Sequence, residues 1–348
     1  MKLMLLRKCL IIGIVFLLIS TGFISCSCGF FPIKENQNKN CLSSPGDYLR
    51  FIISNGIIRS FRIHIPIGYD GDDPVPLVFM LHGSGQDNNA RSIKKYCDMD
   101  EKADEEGFIV VYPNGMFLTY GPYLDNPIVP FMELFMFITN GRMLNCWDTN
   151  GIDDVGFIDD LIDHLQAKLN INSSRIFVTG VSGGGCMSYR LGSELSDRIA
   201  AIAPIVGING GIWFTQEPDD SIEPYICSKP ENPVPVIAFN GMKDKNVPYE
   251  GGWLNSFSIG PLELWVYFLS VNESINLWVD YNNCNKTPQI EESKDGLIIK
   301  RTYSDGYDSS EVVSVTYVEG GHNLFISPKF EWTSTDLMWE FFEKHPKV

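Results

Sequence analysis

The stretch at residues 175–195, RIFVTGVSGGGCMSYRLGSEL, constrains the fold of this chain more than any other part of the sequence. Residues 175–179 are rich in β-branched and aromatic side chains and predict a short buried strand, and a helical pattern begins at Gly184. Between them lies GVSGG, a G-x-S-x-G pattern. A serine on so sharp a turn has a strained backbone, and small neighbours let strand and helix approach each other. The stretch therefore predicts a nucleophile elbow that exposes the Ser182 hydroxyl and directs the Gly183 N–H towards a developing oxyanion.

Two later segments predict buried strands that are followed by ionisable side chains. Asp244 comes shortly after residues 234–239, and His322 lies in a glycine-flanked loop after residues 312–318. Because functional groups gather at the carboxyl ends of parallel strands, both are expected to lie near Ser182. A serine hydroxyl needs an imidazole to accept its proton, and the imidazole needs a carboxylate to set its tautomer. The chain order Ser, Asp, His predicts the α/β-hydrolase arrangement of a catalytic triad.

An earlier apolar segment predicts the second half of an oxyanion hole. Residues 74–81, PVPLVFML, have the pattern of a strand that is buried on both faces of a parallel sheet, and HGSGQ follows at once. The Ser84 N–H is the predicted second oxyanion donor. His82 is expected to fix this loop through hydrogen bonds.

The predicted hairpin near the start of the domain carries another histidine. Strands are expected at residues 48–54 and 57–65, joined by the turn signal Asn55-Gly56. Phe61, Ile63 and Ile65 share one face of the second strand, so His64 is expected on a solvated face.

Helices are predicted for residues 91–106, 153–169, 262–281 and 335–344 from their apolar periodicity. Acidic residues crowd the start of the second of these helices. We expect them to form a solvated face that complements the helix dipole. With the predicted strands, these helices predict an α/β fold with a mostly parallel central sheet and helices on both faces.

A long apolar insertion interrupts this pattern at residues 116–146. It is rich in aromatic residues and methionine and contains PFMELFMFI. It is interpreted either as a packed surface insertion or as a lid or acyl-binding wall over the site.

The chain begins with basic residues and an apolar run, the layout of a secretory signal peptide at residues 1–25. Residues 23–26, FISC, are similar to a bacterial lipoprotein box, so the expected outcomes are simple secretion or a lipid anchor at Cys26. Residues 26–46 predict a polar tether and residues 47–348 a single catalytic domain. The expected location is extracellular or in the cell envelope.

The cysteines and the net charge limit the other classes of protein. Seven of the nine cysteines lie beyond the leader and Cys26, and export would permit disulfides among them, with Cys186 expected to be unpaired. No cysteine or histidine spacing predicts a metal site. The 43 acidic residues outnumber the 27 basic ones, and the net charge of −16 excludes nucleic acid as an expected partner.

Several segments together resemble the polyhydroxybutyrate depolymerase and feruloyl esterase family of secreted α/β-hydrolases. They are LHGSGQDN, EEGFIVVYPNG, CWDTNGIDDVGFIDDLIDHL, the 175–195 stretch, NGMKDKNVPYEGG and GGHN. The resemblance implies a serine esterase with Ser182 as nucleophile, Asp244 as acid and His322 as base, and with no cofactor. The implied substrates are feruloyl or acetyl esters of polysaccharide, or a hydroxyalkanoate polyester.

Two other functions fit the same residues. A serine peptidase of the prolyl oligopeptidase type shares the fold and the triad. An inactive cell-surface binding protein on the same scaffold would share only the fold, and the presence of all three triad residues argues against it.

Overall fold

A large sheet organises the computed structural model, which describes residues 44–84, 88–115, 153–215, 218, 221, 223–259 and 262–347. At 212–215, 256–259 and 262–264 only the backbone is described. The predicted signal peptide, most of the tether and the insertion at 116–146 lie outside these ranges. None of the helices within these ranges is both long enough and apolar enough to span a membrane.

Ten strands of the described residues form the main sheet. In chain order they are β1 Gly46–Ser54, β2 Ile57–Ile65, β3 Val75–Leu81, β4 Ile109–Pro113, β5 Ile171–Val181, β6 Ala201–Ile205, β9 Val236–Gly241, β12 Gln289–Glu292, β13 Ile298–Tyr303 and β14 Val312–Tyr317. Their order across the sheet is β1-β2-β4-β3-β5-β6-β9-β14-β13-β12. The central pairs from β4 to β14 are parallel, and the outer pairs are antiparallel.

Helices cover both faces of this sheet. They are α1 Ala90–Tyr96, α2 Met99–Glu106, α3 Asp154–Gln166, α4 Gly183–Glu194, α5 Val271–Tyr281 and α6 Ser334–Lys344. Because successive strand residues face opposite sides, β3 divides its side chains between two apolar clusters. Leu77 and Phe79 pack with α3, α4 and α5, whereas Val78 and Met80 pack with α1, α2 and α6. The sequence therefore predicted the layered α/β arrangement correctly.

The N-terminal hairpin has the predicted strands and turn. Asn55 and Gly56 have φ values of 47° and 76°, the left-handed conformation that a two-residue hairpin turn requires. The expected solvation of His64 is wrong, because this side chain is buried between Asp47 and Asp104. The outer face of β2 is covered at this point by α2, which the strand pattern alone does not reveal.

The predicted helix at residues 262–281 is wrong in its first part. Its start is a strand, β11 Leu262–Phe268, which pairs with β10 Gly252–Ile259 and β7 Gly210–Thr215. With β8 Tyr225–Ile226 they form a separate four-stranded sheet. The helix α5 begins only after Ser270, whose hydroxyl accepts the Glu273 N–H in a capping box.

The predicted helix at residues 91–106 is likewise divided. Cys97 has an extended backbone and ends α1, and α2 starts two residues later. The break redirects the chain so that both helices pack against the sheet.

Candidate active site

Ser182 occupies the sharp turn between β5 and α4. Its φ is 58° and its ψ is −119°, a conformation that costs a non-glycine residue free energy. Its N–H donates to the Ile205 carbonyl at 2.9 Å, and its carbonyl accepts the Cys186 N–H at 3.0 Å. A Cβ at Gly180 would lie 2.5 Å from the Gly184 carbonyl oxygen. The glycines of the motif are therefore required by the close approach of strand and helix, as predicted.

The loop after β3 brings the second predicted oxyanion donor to this turn. A Cβ placed on Gly183 would lie 3.1 Å from Ser84 N, so the two predicted donors are neighbours. A Cβ on Gly83 would lie 3.2 Å from Ser182 Cβ. Two backbone N–H groups beside a serine side chain are the arrangement that stabilises a tetrahedral oxyanion.

His82 is buried beneath this loop and holds it by hydrogen bonds, as expected. Its Nε2 accepts the Gly115 N–H at 3.0 Å, and its Nδ1 is 2.8 Å from the Gly83 carbonyl oxygen. A backbone N–H can only donate and a carbonyl can only accept, so the proton resides on Nδ1. Burial lowers the pKa of His82 to about 4, and the imidazole is neutral at pH 7.

Asp244 and His322 meet at the carboxyl ends of β9 and β14. His322 Nδ1 lies 2.7 Å from Asp244 Oδ2. The second carboxylate oxygen, Oδ1, accepts the N–H groups of Asn246 and Val247 at 2.8 and 2.9 Å. The Asp244 side chain is 2% exposed and that of His322 is 21% exposed. The carboxylate is thus fixed and shielded, and the imidazole reaches the surface of the site.

The third contact of the predicted triad is open in this structure. Among the hydrogen bonds of the described residues, none joins Ser182 Oγ to His322. With Nδ1 directed at Asp244, the Nε2 of His322 is the nitrogen available for the serine proton. In enzymes without a bound substrate this hydrogen bond is often long and shortens when substrate binds.

A buried ion pair behind the His82 loop was not predicted from the sequence, in which Arg59 was assigned no role and Asp154 was expected on a solvated face. Arg59 of β2 and Asp154 of α3 form a buried ion pair, with side chains that are 3% and 1% exposed. Burial raises the pKa of Asp154 to about 6 in spite of the attraction of Arg59. The expectation of a solvated acidic face is therefore wrong for Asp154. The sequence contained an indication of this burial. Arg59 lies two residues before the buried Phe61 and so on the same face of β2, and Asp154 lies one helical turn before the buried Ile158 on α3.

One group of described residues has the spacing of a metal site. Ligand atoms of Asp47, His64 and Asp100 lie within 4.8 Å of one another. The Lys94 ammonium is paired with both carboxylates, at 2.8 Å from Asp47 Oδ1. A cation is thus already supplied by the protein at this position.

The described cysteines are free thiols. Cys97, Cys186, Cys227 and Cys284 form no disulfide in the described part of the chain, so the expected bridges are not found there. Cys186, expected to be the unpaired thiol, is free like the other three described cysteines, so the structure does not set it apart. Burial raises the pKa of Cys97 and Cys227 to about 12 and that of Cys186 and Cys284 to about 11, which keeps these thiols protonated and unreactive.

Known proteins with similar sequences include esterases by name. A probable feruloyl esterase C of Aspergillus niger is 26% identical over 309 residues, which cover 86% of this chain and 91% of that protein. A bifunctional acetylxylan esterase/xylanase of Neocallimastix patriciarum is 27% identical over 204 residues, or 59% of this chain, and the match spans only 24% of that protein. No family model matches the chain.

The solved structure of an acetyl xylan esterase from Aspergillus awamori has a similar fold, with a TM-score of 0.51. The match covers 85% of this chain and 99% of the solved chain at 13% identity. At this identity the likeness concerns the fold alone.

Proposed function

We infer that this chain, which belongs to the feruloyl esterase-like α/β-hydrolases, is a carboxylic ester hydrolase that acts through Ser182, His322 and Asp244. The observation that carries the catalytic assignment is the strained Ser182 turn, with Gly183 and the Ser84 N–H beside it. A backbone that stores strain at a half-buried serine, next to paired N–H donors, suits a nucleophile.

The proposed reaction proceeds through an acyl-enzyme. His322 takes the Ser182 proton as the hydroxyl oxygen attacks the ester carbonyl, and Asp244 stabilises the resulting imidazolium. The Gly183 and Ser84 N–H groups donate to the tetrahedral oxyanion, and each is expected to contribute roughly 10²- to 10³-fold in turnover. His322 then protonates the leaving alcohol. In the second half of the reaction His322 takes a proton from water, the water oxygen attacks the acyl carbon, and the proton returns to Ser182 Oγ as the acid is released.

The proposed substrates are feruloyl or acetyl esters carried by a polysaccharide. The names of the relatives support this class, and the aligned region covers nearly all of the Aspergillus niger protein. A hydroxyalkanoate polyester is the alternative within the same chemistry, because an elbow of this kind does not itself select the acyl group.

We also propose that the enzyme is exported. The support is the basic and apolar pattern of residues 1–25, with Cys26 as the site of a lipid anchor if the leader is of the lipoprotein type. Mass spectrometry of the N-terminal peptide of the mature protein distinguishes cleavage alone from cleavage with acylation of Cys26.

Comparison of wild type with Ser182→Ala tests the esterase assignment. The substrates are methyl ferulate, p-nitrophenyl acetate and a hydroxybutyrate oligomer, with peptide amides included to test the peptidase alternative. Wild type is expected to cleave at least one ester, and Ser182→Ala to lose about 10⁴-fold or more in kcat because the nucleophile is gone.

The matched control is Ser173→Ala, which removes an exposed hydroxyl from the start of β5 and is expected to keep wild-type kcat. Folded wild type that cleaves amides faster than esters would favour the peptidase. A wild type that cleaves nothing and is not labelled by a fluorophosphonate would favour the binding protein.

A further inference from the structure

A buried arginine lies at the start of a line of hydrogen bonds that runs towards the oxyanion site. Arg59 Nη2 donates to the Asn114 carbonyl at 3.1 Å. The same peptide group carries the Gly115 N–H, which donates to His82 Nε2 at 3.0 Å. Because a peptide group is planar and rigid, Arg59 fixes the direction of the N–H that holds His82.

The line continues through a second peptide group to the predicted oxyanion donor. The Nδ1–H of His82 donates to the Gly83 carbonyl at 2.8 Å. The N–H on the other side of that peptide group belongs to Ser84. The orientation of the Ser84 N–H is therefore set by a histidine whose own position depends on the Gly115 N–H.

Every hydrogen bond in this line has the same direction. The guanidinium of Arg59 is at the donor end, each following group accepts from the one before it, and the Ser84 N–H is the last donor. Hydrogen bonds that follow one another in this way polarise each other and strengthen the final donor. A positive charge at one end and a developing oxyanion at the other is the favourable arrangement of charges for such a chain.

The surroundings of Arg59 favour a positioning role over one in stability. Its guanidinium stacks 3.8 Å above the Phe157 ring centre and pairs with Asp154, but its Nε makes no hydrogen bond within the described residues. Replacement of a buried ion pair by an apolar pair of similar volume is often neutral or stabilising, so the pair is not required for a stable fold. The geometry is instead suited to holding one carbonyl, that of Asn114.

We propose that Arg59 is a positioning residue for catalysis, which aligns and polarises the Ser84 N–H through the Asn114–Gly115 peptide group and His82. The proposal rests on the proposed esterase function. It predicts that loss of Arg59 lowers transition-state stabilisation with little change in substrate binding.

The test separates this role from stability with two variants. Arg59→Met/Asp154→Leu replaces the ion pair by apolar side chains and is expected to keep the wild-type melting temperature within a few degrees. Its kcat is expected to fall about 10- to 100-fold with KM within twofold of wild type, because a misplaced donor is felt mainly in the transition state. Asp154→Asn is expected to lower the melting temperature, because it leaves Arg59 without its carboxylate. It is expected to keep the wild-type kcat, because Arg59 stays in contact with Asn114.

A double variant with both the kcat and the stability of wild type would overturn the proposal. The proposal would also be wrong if Asp154→Asn lost as much kcat as the double variant. If the double variant does not fold, Arg59→Lys replaces it. The Lys variant keeps the charge for Asp154 but lacks the planar fork, so kcat is expected to fall and an unchanged kcat contradicts the role.

Two parallel measurements complete the design. Arg198→Met breaks the ion pairs of Arg198 with Asp159 and Asp163 on α3, and we expect it to leave kcat unchanged. Ser182→Ala reports on the esterase function alone, so a kcat within about 10-fold of wild type in that variant refutes the proposed function whatever the Arg59 variants show.

Discussion

At the scale of single residues, burial decides which ionisable side chains serve the site. His82 precedes the loop that contacts Ser182, and His322 is the proposed base; their different surroundings suit them to different roles. His82 is enclosed and bound at both ring nitrogens by backbone groups. His322 is partly exposed and bound to the shielded carboxylate of Asp244. A neutral buried imidazole orients a loop, whereas an accessible one paired with a carboxylate can accept a proton.

The depressed pKa of His82 predicts a pH dependence of stability. The unfolded chain binds a proton on this side chain below about pH 6.5, and the folded chain does so only below about pH 4. The free energy of unfolding is therefore expected to fall as the pH decreases between these values, by about 2 kcal/mol from this residue at pH 5. Urea unfolding of wild type and His82→Gln at pH 7 and pH 5 measures the difference.

The raised pKa of Asp154 acts in the opposite direction, because the folded chain binds that proton more tightly up to about pH 6. This contribution is the same in both proteins and cancels in the comparison. An equal loss of stability in wild type and His82→Gln on acidification would contradict the assignment of a neutral His82.

At the scale of elements, the elbow depends on how closely β3 and α4 approach each other. A Cβ on Gly184 would lie 2.5 Å from the Leu81 carbonyl oxygen and 2.6 Å from that of His82. Both atoms belong to the backbone, so neither can move aside as a flexible side chain would. The second residue of α4 is therefore a glycine, because the end of β3 occupies the space that a side chain would need.

Gly184→Ala is expected to destabilise the protein by about 3 kcal/mol, because an added methyl group must displace backbone. The matched control is Gly68→Ala, since a Cβ at that exposed glycine meets nothing within 4 Å. Its effect should stay within about 0.5 kcal/mol. Chemical denaturation of the two variants gives both values, and a Gly184→Ala protein as stable as Gly68→Ala would show that the junction can widen.

The wrong prediction at residues 262–281 also belongs to this scale. Residues 262–268 contain apolar and aromatic side chains at spacings that fit a helix as well as a strand, and short apolar runs are ambiguous between the two. Pairing with β10 and β7 decided the outcome. β10 precedes β11 directly in the chain, but β7 lies about 50 residues earlier, and the local periodicity of residues 262–268 contains no information about that partner.

At the scale of the whole molecule, the sheet separates two apolar cores, and the last helix completes one of them. Phe342 of α6 stacks on Phe177 of β5 at 4.4 Å, and Trp339 stacks on Phe108 at the same distance. Since β5 ends at Val181, directly before Ser182, α6 supports the strand that presents the proposed nucleophile.

Phe342→Ala is expected to cost 3–5 kcal/mol of stability, since it removes a fully buried ring and leaves a cavity behind β5. Glu343→Ala, on the exposed face of the same helix, is the control and should change stability by less than about 0.5 kcal/mol. Thermal unfolding of the two variants and of wild type measures both changes in stability. Similar melting temperatures would mean that α6 does not hold β5 in place.

The sequence by itself determined the features that depend on neighbouring residues. The elbow follows from glycines beside Ser182, the hairpin turn from Asn55-Gly56, and the layered α/β fold from alternating apolar strands and helices. The meeting of Asp244 with His322 was also predictable, because the carboxyl ends of parallel strands share one edge of a sheet. Each of these results depends on local backbone preferences or on a general rule of topology.

Only the tertiary structure decided which side chains are enclosed by segments far away in the chain. Arg59 contacts Asp154, which is 95 residues later in the chain. His64 is covered by α2, and the alternation of residues in β2 cannot predict that contact. The predictions that Asp154 and His64 are solvated were wrong for this reason. Desolvation and hydrogen-bond direction, which set the pKa and the role of a buried group, are properties of its surroundings in space.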